Sequence, residues 1–283
     1  MNKLIKLAKG ALARAPFNDH LARPGSSKAP PRIYFCHIPK SAGSSIASAI
    51  RDQVYSRHNL DGFNIDPRAS LRAGKVTENS LMQAREVILA YNLSVKANFF
   101  GKGHCYCRPG LIKEFASQWN FITVLRNPID RWISEYVYNT YKQGDWTKND
   151  LPLNEYLESR KAEAGGQQLI RYFSNYSLNF RSSPRDHIDE ALENLSRFAI
   201  VGTMENLDTW ADELMKKFSF EIKLPSINKS PSNQAVEQIR SNPAVMRKIE
   251  DLCRHDLELY DKFTAKHGNL YSNPSIDPGK ASA

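Results

Sequence analysis

Apolar positions along the chain follow two periods. Ile33-Tyr34-Phe35-Cys36 and Phe121-Ile122-Thr123-Val124-Leu125 are short, almost unbroken apolar runs, the length of strands buried on both faces. Glu86–Tyr91 and Ala97–Phe100 predict further short strands. Elsewhere the period is helical. Ile46, Ala47, Ala49 and Ile50 form one stripe, and Ile129, Trp132, Ile133, Tyr136 and Val137 another at i, i+3, i+4, i+7 and i+8. Ile188, Ala191, Leu192 and Leu195 stripe a third helix; Leu207, Trp210, Ala211, Leu214, Met215 and Phe218 stripe a fourth. A last helix starting near Pro243 carries Ile249, Leu252, Leu257, Tyr260 and Phe263. Strands alternating with helices predict an α/β fold, a central parallel sheet flanked by helices.

The chemistry gathers where two of these strands end. After Cys36 comes His37-Ile38-Pro39-Lys40-Ser41-Ala42-Gly43-Ser44-Ser45, a loop of small residues feeding a helix. Free N–H groups and the helix dipole make such a junction an anion site, and Lys40 adds a point charge. The nucleoside-triphosphate loop needs a glycine, four residues, then Gly-Lys and Ser or Thr. Here Lys40 precedes Gly43 and no second glycine completes that pattern. The second strand runs into Arg126-Asn127-Pro128, with Asn127 placed to cap and Pro128 suited to the first helical turn. Arg126 therefore stands at the carboxyl end of a strand, where open α/β sheets bind ligands. Ser134 falls off the apolar face of the following helix, and Arg131 reads as an internal salt-bridge residue.

The order Pro-Lys-Ser-Ala-Gly-Ser-Ser resembles the 5′-phosphosulfate loop of sulfotransferases that use 3′-phosphoadenosine 5′-phosphosulfate (PAPS). The Arg126-to-Tyr136 series is similar to their 3′-phosphate site, particularly in the carbohydrate-modifying branch that includes the heparan sulfate 2-O-sulfotransferases. The resemblance spans roughly residues 32 to 265. It implies a P-loop-like sulfotransferase fold. It also implies that Lys40, Ser41, Ala42, Gly43, Ser44 and Ser45 hold the 5′ side of the donor, and Arg126 and Ser134 the 3′-phosphate. Gly101–Cys105 resembles the segment that supplies the branch's catalytic base, which maps onto His104. Gln168–Phe173 and Phe198–Glu205 resemble further family segments. Asn228, Lys229 and Ser230 look like the loop that closes over the nucleotide.

Sulfuryl transfer then implies that Lys40 stabilises charge on the departing oxygen and that a general base takes the acceptor's proton. His104 is the first candidate base, with Glu135, Glu205 and His37 as rivals; His37 also reads as a brace for the anion loop. A sulfuryl group bears less charge than a terminal phosphate, so no metal is demanded. A nucleotide kinase or NTPase, and a non-catalytic anion-binding protein, remain as alternatives.

Composition narrows the partners. The 283 residues carry 39 basic and 30 acidic side chains, a formal charge of +9, with 41% hydrophobic residues. That balance suits an anionic donor; nucleic acid would suit it too, but no interleaved aromatic and basic platform accompanies it. The expected partner is a carbohydrate or glycolipid acceptor, with no nucleic acid. Residues 1–31 read as a basic segment and linker, 32–266 as the sulfotransferase domain, and 267–283 as a loose tail. Within the first, Leu4, Leu7, Ala8, Ala11 and Leu12 share a helical face between Met1 and Arg14, a candidate for peripheral membrane contact. No apolar stretch approaches the roughly 20 residues of a membrane span. With the membrane anchor of animal relatives missing, a cytoplasmic bacterial enzyme is expected. Cys36, Cys105, Cys107 and Cys253 lack a metal-ligand spacing and are expected to be reduced thiols, Cys36 packed in its strand. Residues 138–187, with Trp146, Tyr156, Tyr172 and Tyr176, are expected to shape an acceptor cleft.

Overall fold

A computed structural model describes residues 30–179, 181–224 and 232–276. In chain order the elements are β1 (Ile33–Cys36), α1 (Gly43–Ile50), β2 (Asp61–Asn64), α2 (Pro67–Val76), α3 (Leu81–Ser94), β3 (Asn98–Gly103), α4 (Pro109–Phe115) and β4 (Asn120–Leu125). There follow α5 (Pro128–Tyr141), α6 (Leu153–Leu157), α7 (Arg160–Gly166), α8 (Gln168–Phe173), α9 (Ile188–Leu195), β5 (Ile200–Thr203), α10 (Leu207–Phe218), α11 (Asn233–Arg240), α12 (Pro243–His267) and β6 (Leu270–Ser272).

The strands form one sheet in the order β2-β3-β1-β4-β5-β6. All neighbours are parallel except β5 and β6. The order runs outward from β1 to β3 and β2 on one side and to β4 and β5 on the other. The switch point thus lies between β1 and β4, and the crevice beyond their carboxyl ends is where such sheets place ligands.

Side chains alternate across the strands, so each face of the sheet has its own core. Tyr34, Cys36, Phe121 and Leu125 join the cluster covered by α3, α4, α8, α9 and α12. Ile33, Phe35, Ile122 and Val124 join the other, under α1 and α10. A third cluster packs α5 against α7, α11 and α12 around Trp132, Ile133 and Val137. No helix among the described residues is long and apolar enough to cross a membrane.

Two expectations need correcting. Glu86–Tyr91 is not a strand but the middle of α3, which opens on a capping box between Ser80 and Gln83. Val87 and Tyr91 are 66% and 69% exposed while Leu89 is fully buried, so only one side of the run faces the core. Leu270–Ser272, expected within a loose tail, instead form β6, which pairs antiparallel with β5 and gives the parallel sheet one antiparallel edge. Asn273 continues that docking, its N–H reaching the Ala199 carbonyl at 3.0 Å. The Met1–Arg14 face and the Asn228-Lys229-Ser230 loop lie outside the described residues.

Candidate active site at the carboxyl ends of the central strands

The first loop owes its shape to two residues in an unusual backbone conformation. Ser41 N–H donates to the Ile38 carbonyl at 3.3 Å, closing a turn with Pro39 second and Lys40 third. Lys40 has φ 70°, the left-handed value a type II turn requires at that place and usually fills with glycine. Ala42 follows at φ 53°. A side chain in this region costs about 1 kcal/mol or more per residue. The helical ladder begins where Ile46 N–H meets the Ala42 carbonyl at 3.3 Å, so the N–H groups of Gly43, Ser44 and Ser45 precede it and stay free for an anion. Gly43 is needed for close approach: a Cβ there would fall 1.8 Å from Cδ2 of His37. His37 therefore braces the loop by packing its ring edge against the glycine.

Ser41 is not among the residues lining the cleft: its N–H is spent within the turn, and its hydroxyl is buried without a hydrogen-bond partner. The other loop residues, Lys40, Ala42, Gly43, Ser44 and Ser45, line the cleft.

The second loop is rigid for reasons partly visible in its sequence. Asn127 Oδ1 accepts from the N–H groups of Ile129 (3.0 Å) and Asp130 (3.3 Å), capping α5. Glu205 accepts from Asn127 N–H at 3.4 Å and from the Tyr260 hydroxyl at 2.7 Å, which braces this turn, and it is not among the residues lining the cleft. Arg126 Nη1 donates to the Lys40 carbonyl at 2.8 Å, tying the two loops together. Arg131 is fully buried, bonded to Glu135 at 2.6 Å and to the Gly165 carbonyl, the internal role its position suggested.

Both loops open into one cleft of about 840 Å³. Arg126 and Ser134 line it together with Lys40 and His104, so the two candidate anion sites and the candidate base share a single space. Burial, and then the Arg126 charge, bring the Lys40 pKa down to about 8. His104 Nδ1 lies 2.7 Å from the His37 carbonyl oxygen. A carbonyl can only accept, so Nδ1 carries the proton and Nε2 keeps a free lone pair. Burial lowers the His104 pKa, opposed by that backbone bond, and burial holds His37 well below the usual range. Glu135 also lines the cleft, but one oxygen is engaged by Arg131.

Several cleft residues were not anticipated. Tyr138 and Lys142 continue the Ser134 stripe at i+4 and i+8, a spacing that could have found them. Arg85, only 6% exposed, donates to the His104 carbonyl at 2.9 Å and keeps an unpartnered buried Nε. Tyr106 and Arg171 meet in a hydrogen bond on the same wall. Of the four aromatics expected to shape the cleft, Trp146 and Tyr172 line it, whereas Tyr156 and Tyr176 are buried elsewhere. Cys36, Cys105 and Cys107 pack as buried free thiols, and no cluster of three metal-ligating side chains occurs among the described residues.

A family model described as the sulfotransferase family matches residues 28–263. The chain belongs to the sulfotransferase family. No curated protein matches it. In this sulfotransferase the match covers every strand but β6, together with both loops and His104. Of the residues the sequence singled out, Lys40, Ala42, Gly43, Ser44, Ser45, His104, Arg126 and Ser134 line this one cleft and Ser41 does not, while the loop at 228–230 lies outside the described residues.

Proposed function

We propose that this enzyme transfers the sulfuryl group of PAPS to a hydroxyl of a carbohydrate acceptor. One observation carries the reading: a basic anion loop, a second cationic strand end and a neutral histidine with a free Nε2 face one cleft. The residues suit a nucleotide with anionic groups at both its 3′ and 5′ positions. The N–H groups of Gly43, Ser44 and Ser45, with the Ser44 and Ser45 hydroxyls, would hold the 5′-phosphosulfate, and Arg126 with Ser134 the 3′-phosphate. When bound, PAPS supplies an activated sulfuryl group with a good leaving group.

The acceptor oxygen forms its bond to sulfur as the bond from sulfur to the bridging phosphate oxygen breaks. His104 Nε2 takes the acceptor's proton, and neutral imidazole suits that task near neutral pH. Lys40 meets the charge growing on the departing oxygen, where a preorganised cation is worth most. Glu135 holds Arg131 and adds negative potential that favours the protonated forms of Lys40 and His104. The Trp146 side chain, which lines the cleft, offers a face on which a sugar ring can lie.

Thermal unfolding with 3′-phosphoadenosine 5′-phosphate (PAP), and in parallel with magnesium ATP, tests the donor. Ligand at 100 times its dissociation constant stabilises by about 2.7 kcal/mol. A shift with PAP and none with magnesium ATP supports the reading; the reverse overturns it in favour of a kinase. Sulfate transfer from labelled PAPS to a glycan panel then tests the acceptor class, with small phenols as the opposing arm.

A further inference from the structure

The Lys40 ammonium lies 3.7 Å from the centroid of the Tyr138 ring. Among the described residues, no oxygen hydrogen-bonds this ammonium. Lys142 approaches the same ring, at 5.4 Å, and contrasts with it. Its ammonium is fastened by Asn139 Oδ1 and Thr147 Oγ1, each at 2.8 Å, and by the Trp146 carbonyl. The ring is therefore a minor contact for Lys142 and the principal one for Lys40.

We propose that the face of Tyr138 is the seat of the Lys40 ammonium, which makes Tyr138 the positioning residue for that lysine. The two ends of Lys40 are then fixed independently. Arg126 holds its carbonyl in the left-handed turn, and Tyr138 holds its tip. A lysine stem has four rotatable carbons and loses side-chain entropy when held. An aromatic face draws the cation by its quadrupole without consuming a proton the ammonium must offer to a developing negative charge. The seat is itself firm. Tyr138 projects from α5 one turn beyond Ser134, and α5 is pinned by the Asn127 cap and by the bond from buried Arg131 to the Gly165 carbonyl. Tyr138 is 43% exposed and its hydroxyl bonds no described residue, so the ring and not the oxygen does the seating. The importance of this contact for turnover rests on the function proposed above.

The test compares the wild type with Tyr138→Phe and Tyr138→Leu by brief reductive methylation with formaldehyde and cyanoborohydride, Lys40 and Lys142 being quantified separately by peptide mass spectrometry. Tyr138→Phe should label Lys40 at the wild-type rate, and Tyr138→Leu about three- to tenfold faster, the range expected for releasing a partly buried cation from a ring. Lys142, held by oxygens, should not change in either variant. An unchanged Lys40 rate in Tyr138→Leu overturns the proposal. So does a rate in Tyr138→Phe as fast as in the leucine variant, which would assign the seat to the hydroxyl. A parallel rise at Lys40 and Lys142 also overturns it, because that would mean the end of α5 had merely loosened. The measurement uses no donor, so the PAP shift stands apart: its absence with this labelling pattern intact would fault the functional reading and leave the seat standing.

Discussion

The Nδ1 of His104 points at the carbonyl oxygen of His37, 2.7 Å away, across the gap between the ends of β3 and β1. The bond sets the tautomer, and burial keeps the ring neutral. A base must be unprotonated to act, whereas Lys40 must be protonated. The profile of kcat/KM against pH is therefore expected to be bell-shaped. Activity should rise on an acid limb lying below the ordinary histidine value and fall on an alkaline limb near the Lys40 value of about 8. His104→Gln should lower kcat by about 10²- to 10⁴-fold and erase the acid limb. An acid limb surviving in that variant would transfer the base role to another group, with Glu135 the first to test.

The left-handed conformation of Lys40 predicts a trade between stability and activity. Glycine adopts φ 70° without the steric cost of a Cβ, about 1–2 kcal/mol, though it gives back about 0.5–1 kcal/mol through greater freedom of the unfolded chain. Lys40→Gly should melt at or slightly above the wild-type temperature while losing most turnover. Lys40→Ala, which keeps the strained backbone, should lose turnover equally without the gain in melting temperature. A glycine variant that retains most of its rate would remove the lysine from the chemistry.

That conformation marks where the sequence stops being readable. The strands Ile33–Cys36 and Asn120–Leu125 were legible because burial on both faces demands continuous apolar side chains. Helices α5, α9, α10 and α12 were legible because each buries a single stripe. The stretch 86–91 misled because Val87 and Ile88 favour strands in general, yet the local signal at Ser80 and Gln83 already satisfied a helix start. The short strand at Leu270 is half-buried at an edge and carries no strong pattern. Nothing in a lysine announces positive φ, so Ser41 could not be seen to spend its N–H within the turn. Arg85 went unnoticed because a strand reading of its neighbours hides the helix that delivers it to His104.

Asp256, fully buried on α12, accepts from the N–H groups of Leu169 (2.6 Å) and Ile170 (3.0 Å), and so fixes the helix that carries Gln168 and Arg171 into the cleft. Burial raises its pKa from 3.8 to about 7, against the pull of those two N–H groups and of Arg131 and Arg171. The folded state thus holds a proton that the unfolded state has released between about pH 4 and pH 7. The associated stability is full below the unfolded value and is lost as pH rises through the folded one, at up to about 1.4 kcal/mol per pH unit. Chemical denaturation from pH 4.5 to 8 should show this decline in the wild type and a flatter profile in Asp256→Asn. Equal slopes in both proteins would show that the carboxyl does not titrate in this window.

Arg126 has two partners in this reading, the Lys40 carbonyl it already holds and the 3′-phosphate it is proposed to grip. Calorimetric titration can separate them, because adenosine 5′-phosphate lacks the 3′-phosphate but still needs the loop at Gly43 to Ser45. If Arg126 serves the phosphate, Arg126→Ala should weaken PAP by roughly 10- to 100-fold, the range for a lost charge-assisted hydrogen bond, and leave adenosine 5′-phosphate nearly unchanged. If its service is to the Lys40 turn alone, both nucleotides should lose affinity by the same factor, since each depends on the loop that follows that turn. The equal loss would withdraw the 3′-phosphate assignment while leaving the anion loop in place. Arg126→Lys sharpens the distinction: a point charge can still attract the phosphate but cannot reproduce the guanidinium fork, so PAP affinity should fall between the alanine variant and the wild type.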